Sequence, residues 1–224
     1  MDPYALGLLL GDGCLTTKTT PSFTTADPEL ATALEDVLDG IELRRKNEVD
    51  YVLRNADGHR GGVIVTNPVT AILRELGLAG TRSNSKFVPG TYLYNDSQTR
   101  LAVLQGLLDS DGGPVTQRDR SCRIQYTTCS PQLREDVIVL VRSLGGVAHW
   151  RTRVAEGRPP GRAKDRPVHY RSDSFVLDIR LPGALEPFRL RRKRDRYLAH
   201  GGGRPCGSCT PSSPKARRRP CASR

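Results

Sequence analysis

Two aspartates stand at matching places in two apolar nonamers, and they are the residues of this chain best suited to chemistry. Asp12 sits in Ala-Leu-Gly-Leu-Leu-Leu-Gly-Asp-Gly over Ala5–Gly13, and Asp111 in Leu-Gln-Gly-Leu-Leu-Asp-Ser-Asp-Gly over Leu104–Gly112. Both nonamers carry a small residue third (Gly7, Gly106) and seventh (Gly11, Ser110). Apolar residues at helical spacing before a Gly predict a short helix with a Gly stop. Each aspartate is then the last helical side chain, where the helix carries about half a negative charge and repels an acid unless a cation is near. Two such acids point to a metal site. A single Asp-Gly would read equally well as a turn, but two matched copies favour the site. Carboxylates that converge raise one another's pKa unless divalent ions neutralise them. An all-oxygen ligand set suits Mg²⁺, and the matching chemistry is two-metal hydrolysis of a phosphodiester.

Composition supports a polyanionic partner. The 224 residues carry a formal charge of +11, the usual footprint of nucleic-acid binding. Only six of the 35 basic residues are lysines, so 29 are arginines, as a GC-rich genome would give. Each lysine therefore draws attention as a compact, tunable charge. The longest apolar run, Ala5–Leu10 with Gly7 inside it, is far short of the ~20 residues of a membrane span. No signal peptide is visible at the N-terminus, and six irregularly spaced cysteines do not form a disulfide framework. A soluble, cytoplasmic monomer from a bacterial, archaeal or phage host is expected.

The pattern around the nonamers repeats. Asp2-Pro3 opens the first motif helix as cap and first-turn proline. Strands are expected over Cys14–Ala26, then a helix over Glu29–Asp39. Strands follow over Ile41–Lys46, Glu48–Asn55 and Gly62–Thr66, then a helix to Leu76 and a loop over Leu78–Asn95. The second motif helix runs over Ser97–Ser110. Tyr126-Thr-Thr-Cys-Ser-Pro-Gln-Leu133 then mirrors Phe23-Thr-Thr-Ala-Asp-Pro-Glu-Leu30, and a helix over Gln132–Leu144 and strands over Val147–Arg153 and Val168–Leu181 complete the repeat. Residues 201–224 hold six basic residues and no acid, and read as a disordered tail that touches phosphates non-specifically. The expected organisation is 1–96, 97–200 and the tail 201–224.

The nonamers resemble the LAGLIDADG motif of homing endonucleases. The Gly-Asp-Gly ending of the first resembles the intein-associated branch, although Leu10 stands where that family often has another acid. The resemblance covers Asp2 to about Leu198. It implies an α+β fold of two pseudo-symmetric αββαββα halves, with motif helices packed side by side at Gly7 and Gly106 and two antiparallel sheets forming a saddle over double-stranded DNA. It assigns catalysis and metal binding to Asp12 and Asp111, with the carbonyls of Gly11 and Ser110 as further ligands of two or three Mg²⁺ ions that Mn²⁺ can replace. Lys86-Phe-Val-Pro89 matches the family's Lys-x-x-Pro block, which implies a catalytic Lys86 that stabilises charge developing near the scissile phosphate. Lys193 occupies roughly the same place in the second half and is expected to do the same. Arg192 or Arg194 competes for that role.

Guanine edges in the major groove are best read by Arg. The candidate readers are Arg44, Lys46 and Arg54 in the first half and Arg123, Arg151, Arg153 and Arg171 in the second, and strand alternation does not choose a face for them. The reading is a site-specific, metal-dependent homing endonuclease. Its rival is a maturase or regulator that binds nucleic acid on the same scaffold without cutting. Protein splicing is disfavoured because the chain starts with Met1 and contains no His-Asn pair.

Overall fold

The nonamers become two helices buried on all sides. In the computed structural model, which describes residues 1–17, 19–57, 65–117, 120–163 and 166–202, the first repeat begins with α1 (Pro3–Asp12), β1 (Gly13–Cys14), β2 (Ser22–Thr24) and α2 (Pro28–Asp36). It continues with β3 (Ile41–Arg45), β4 (Asp50–Asn55), α3 (Pro68–Glu75) and the short α4 (Gly90–Leu93). The second repeat holds α5 (Ser97–Asp111), β5 (Gly112–Gln117), β6 (Arg120–Thr128), α6 (Pro131–Ser143), β7 (Val147–Arg153), β8 (Gly161–Ala163), β9 (Arg166–Val168), β10 (Ser174–Arg180) and α7 (Arg191–Ala199).

The two four-stranded sheets are antiparallel and share one topology, β1-β2-β4-β3 and β5-β6-β10-β7. The second differs by a β8–β9 hairpin inserted between two of its strands. The strand after each acid pairs alike: Gly13 faces Phe23 and Gly112 faces Tyr126.

Leu6, Leu8, Leu9 and Leu10 are at most 1 % exposed, so α1 has no polar face. Burying each such side chain contributes about 1.5–3 kcal/mol. Side chains of both repeats join one hydrophobic cluster. The motif helices run parallel, with Gly7 against Gly106 and Gly11 against Ser110. A Cβ on Gly7 would lie 2.3 Å from the Val103 carbonyl, and one on Gly106 would lie 2.4 Å from that of Tyr4. Only glycine allows this approach. Caps are supplied by Asp2, Asn67, Asp96 and Ser130, whose side chains accept backbone N–H groups of the first turns.

Several sequence expectations are corrected in detail. The glycines after the acids stop their helices as expected, but in extended conformation (Gly13 φ −78°, Gly112 φ −100°). They are required because a Cβ would collide with Leu9 and Leu108 one turn back, at 2.4 Å and 2.8 Å. The expected loop 78–95 contains α4. The expected strand Val168–Leu181 is interrupted between β9 and β10, because β9 turns back to pair with β8. Arg171 therefore lies outside any strand. Residues 62–64 of the expected strand over Gly62–Thr66 and residues 203–224 of the tail fall outside the described residues.

Candidate active site at the ends of the paired helices

Because the helices are parallel, both negative ends emerge at one place. A Cβ on Gly11 would lie 1.9 Å from Ser110 Oγ and 3.5 Å from Asp111 Oδ2, so the carbonyl end of α1 touches the acid of α5. Two helix ends and two carboxylates together place about three negative charges at this junction.

Two buried lysines answer that charge. Lys86 Nζ donates to the carbonyls of Leu9 (3.2 Å), Gly11 (3.0 Å) and Gly13 (2.8 Å). Lys193 Nζ donates to those of Leu108 (3.1 Å), Asp109 (2.5 Å), Ser110 (3.3 Å) and Gly112 (2.7 Å). Their residues are 5 % and 6 % exposed, although one lies in a loop and the other in the run Arg191-Arg192-Lys193-Arg194. Each ammonium adds a donor where a helix C-terminus runs short of them; of these carbonyls, Leu9 and Leu108 also accept from the N–H of Gly13 and Gly112. Arg192 is instead bound to Asp27, and Arg194 lies beside its neighbour Asp195.

The acids remain uncomfortable. Desolvation, followed by the charge of Asp111, pushes the Asp12 carboxyl up to about 7, against the opposing pull of Lys193 and then Lys86. Desolvation also raises Asp111, and Lys86, then Lys193, oppose it. Asp111 still reaches solvent, so this desolvation reflects crowding by protein rather than complete enclosure. Desolvation lowers the pKa of both lysines.

This donor set fits a hard divalent cation. The described residues contain no group of three or more His, Cys, Asp or Glu placed around a metal. Asp12 and Asp111 are the side chains that such an ion could take as ligands, with remaining positions left to water, substrate oxygens or carbonyls, as Mg²⁺ prefers. The Gly11 and Ser110 carbonyls each accept from a lysine, which leaves one lone pair on each.

Two cavities open on the acids. One of about 490 Å³ is lined by Asp12, Cys14, Thr16, Arg82, Ser83 and Lys86 among others. The other, about 240 Å³, brings Ser83 and Lys86 together with Asp111, Thr128 and Cys129.

Residues 98–174 match the profile of the LAGLIDADG-like domain, a span that covers most of α5 and reaches β10. This stretch is a LAGLIDADG-like domain. The chain is 31 % identical over 212 residues to the replicative DNA helicase DnaB of Rhodothermus marinus, covering 89 % of this chain and 22 % of the helicase. It is 29 % identical over 156 residues to DnaB of Mycobacterium intracellulare, covering 70 % and 21 %. The chain thus spans about a fifth of the length of these curated relatives. Among solved structures it is similar to the homing endonuclease I-DmoI (14 % identity, TM-score 0.45, 89 % of this chain and 93 % of that one) and to I-DmoI in complex with DNA and Mn (13 %, 0.48, 89 % and 94 %).

In the LAGLIDADG-like domain the sixth nonamer position is Asp109, whose counterpart in the first repeat is the buried Leu10. Asp109 Oδ2 accepts from Tyr4 Oη (2.9 Å) and from the backbone N–H groups of Arg189 (2.9 Å) and Leu190 (3.1 Å). It ties α1 and α5 to the start of α7, away from the acids. Sequence reasoning did not single out Arg82 and Ser83. Their signal was proximity to Lys86, whose N–H donates to the Arg82 carbonyl at 3.1 Å.

The proposed DNA readers are dispersed. Arg44 and Arg54 point away from the core of the first sheet, and with Lys46, just past β3, they rim a hollow of about 340 Å³. In the second sheet Arg123 and Arg151 both pair with Asp178, at 3.2 Å and 2.8 Å. Arg153 is exposed at the end of β7, and Arg171 is exposed between β9 and β10.

Proposed function

We propose that this chain is a divalent-metal-dependent endonuclease that cuts both strands of a specific double-stranded DNA site. The observation that carries this reading is the meeting of two carboxylates at parallel helix ends, each helix end closed by a buried lysine. Structural ion pairing would leave no net charge to neutralise. Here two lysines face roughly three negative charges, so a cation completes the balance.

In this reading Asp12 and Asp111 hold divalent ions, Mg²⁺ first and Mn²⁺ as a substitute. When bound, such ions lower the pKa of a coordinated water and stabilise charge on the leaving oxygen. The protein supplies the rest. Lys86 and Lys193 fix the carbonyls beside the acids and keep positive charge next to the reacting phosphates. Arg82 and Ser83, on the wall of the Asp12 cavity, receive a non-bridging phosphate oxygen. The outward basic residues of both sheets follow the backbone and present Arg side chains to base edges.

The helicase matches bear on the target. A segment equivalent to nearly the whole of this chain, occupying about a fifth of a replicative helicase, fits an intein-type module lodged in a host gene. The test is incubation with Mg²⁺ and a DNA pool that includes insertion-free replicative helicase genes. Double-strand breaks at one locus are expected. Specific binding without breaks in Mg²⁺ or Mn²⁺ would instead favour a regulator or maturase, and no preference for any DNA would overturn the reading.

A further inference from the structure

Each lysine belongs to one repeat and is gripped by the other. Lys86 follows the first sheet, yet the backbone around it is held by α6 of the second repeat. The buried Ser130 hydroxyl donates to the Lys86 carbonyl at 2.6 Å, and Val88 N–H donates to Asp136 Oδ2 at 2.7 Å. Gln132 Nε2 donates to Asp136 Oδ1 at 2.8 Å, so both oxygens of this 2 % exposed carboxylate are engaged. Lys193 is held in mirror fashion from α2 of the first repeat. Arg191 N–H donates to Glu29 Oε1 at 3.0 Å, and the Arg192 guanidinium clasps Asp27, with Nε 2.8 Å from Oδ2.

The grips occupy equivalent positions. Asp27 and Ser130 both precede the proline that opens the second helix of their repeat. Ser130 also caps its own helix by accepting from Leu133 N–H at 3.1 Å, whereas Asp27 makes no cap bond. The Asp27 carboxylate forgoes that cap and is turned to Arg192 instead.

We propose that the repeats position each other's active-site lysine, Asp136 and Ser130 acting on Lys86, and Asp27 and Glu29 on Lys193. The proposal rests on the reading of both lysines as part of the active site. It makes each catalytic set composite. Lys86 lines one cavity with Asp12 and another with Asp111, the acid of the other repeat. Neither repeat then holds a complete set alone, and anything that loosens the α1–α5 junction disturbs both acids and both lysines together.

The test is the accessibility of individual lysines, measured as the rate of acetylation by acetic anhydride and resolved by peptide mass. Asp136→Leu removes both acceptors and is expected to raise the rate at Lys86 about tenfold or more by local opening, with Lys193 unchanged. Asp27→Ala with Glu29→Ala is expected to do the converse. Asp136→Asn keeps an acceptor for Val88 N–H and should keep Lys86 protected. Ser130→Asp runs in parallel as a milder change, since it retains a cap for Leu133 N–H and removes only the donor to Lys86; it too should expose Lys86 alone. Continued protection of Lys86 in both Asp136→Leu and Ser130→Asp, or joint exposure of both lysines in either, overturns the proposal. Cleavage by the same variants separates this from the functional reading. Lys86 exposed with cleavage intact leaves the grip standing and removes Lys86 from catalysis.

Discussion

Lys86 Nζ donates to the carbonyl of Gly11, one residue before Asp12, and lines a single cavity with Asp111, the acid of the other repeat. One ammonium therefore closes the helix that carries the first acid and faces the second. Under the proposed function, stability and chemistry are joined at this atom, and the consequences are measurable.

Replacing Lys86 or Lys193 with Ala should weaken the fold as well as the activity. Loss of Lys86 takes a donor from three carbonyls, of which that of Leu9 keeps the Gly13 N–H, and loss of Lys193 takes one from four, of which that of Leu108 keeps the Gly112 N–H. Losing the partner of a buried polar group costs about 1–3 kcal/mol, which for a chain of this size lowers Tm by a few degrees per kcal/mol. Single-turnover cleavage should fall roughly 10²-fold or more, the scale of one preorganised electrostatic group. Lys86→Arg should not rescue, because a planar fork does not match three carbonyls converging on one atom. Thermal melts beside cleavage rates check this; an unchanged Tm would mean that the ammonium does not cap the helix in solution.

Stability without metal should depend on pH through Asp12. Its carboxyl is raised to about 7, above the ordinary aspartate value near 4. The native state then holds this proton more tightly than the unfolded chain does. Its contribution is fully present below about pH 4 and is lost as pH rises through about 7. In chelator, the Tm advantage of Asp12→Asn over the wild type should therefore grow between pH 5 and pH 8, and Asp111 adds in the same direction. Ca²⁺ or Mg²⁺ should restore wild-type stability at the alkaline end, because the ion replaces the proton. A Tm difference between the two proteins that is constant with pH would contradict a raised Asp12.

Asp178→Ala should trade specificity for general affinity. Asp178 is the partner of both Arg123 and Arg151 on the outer face of the second sheet. Freeing the two arginines should tighten binding to any DNA and steepen the salt dependence by about one to two phosphate contacts. Discrimination between the target and unrelated DNA should fall. Titrations of both DNAs at several salt concentrations measure this, and unchanged salt slopes would place these arginines away from DNA.

Much of this architecture was legible in the residues. Period, glycine placement and cap-proline pairs located α1, α2, α5 and α6. The duplicated nonamers foretold the repeat because a helix buried on all sides must be apolar all round. The lysine contacts were not legible, since Lys86 lies 77 residues from Leu9 and no local pattern encodes which carbonyls a long flexible side chain reaches. Arg192, Lys193 and Arg194 look alike in a basic run, and only packing separates the buried one from the one claimed by Asp27. The neutralising of Arg123 and Arg151 was hidden likewise, because Asp178 joins them through strand register rather than sequence spacing. The strand over Val168–Leu181 was overextended because the alternation of β10 was carried back to Val168, whereas Arg166–Val168 pairs with β8 and the exposed residues 169–173 join the two.

Whether Asp12 and Asp111 form one catalytic centre is decided by Asp12→Asn and Asp111→Asn measured in parallel. Each keeps size and removes one charge from a helix end where a charge is unfavourable. Double-strand cleavage in Mg²⁺ is expected to fall by orders of magnitude in both, while DNA affinity in Ca²⁺ stays near wild type and Tm in chelator holds or rises. Near-normal cleavage by either variant, or loss of folding in both, would refute the shared centre.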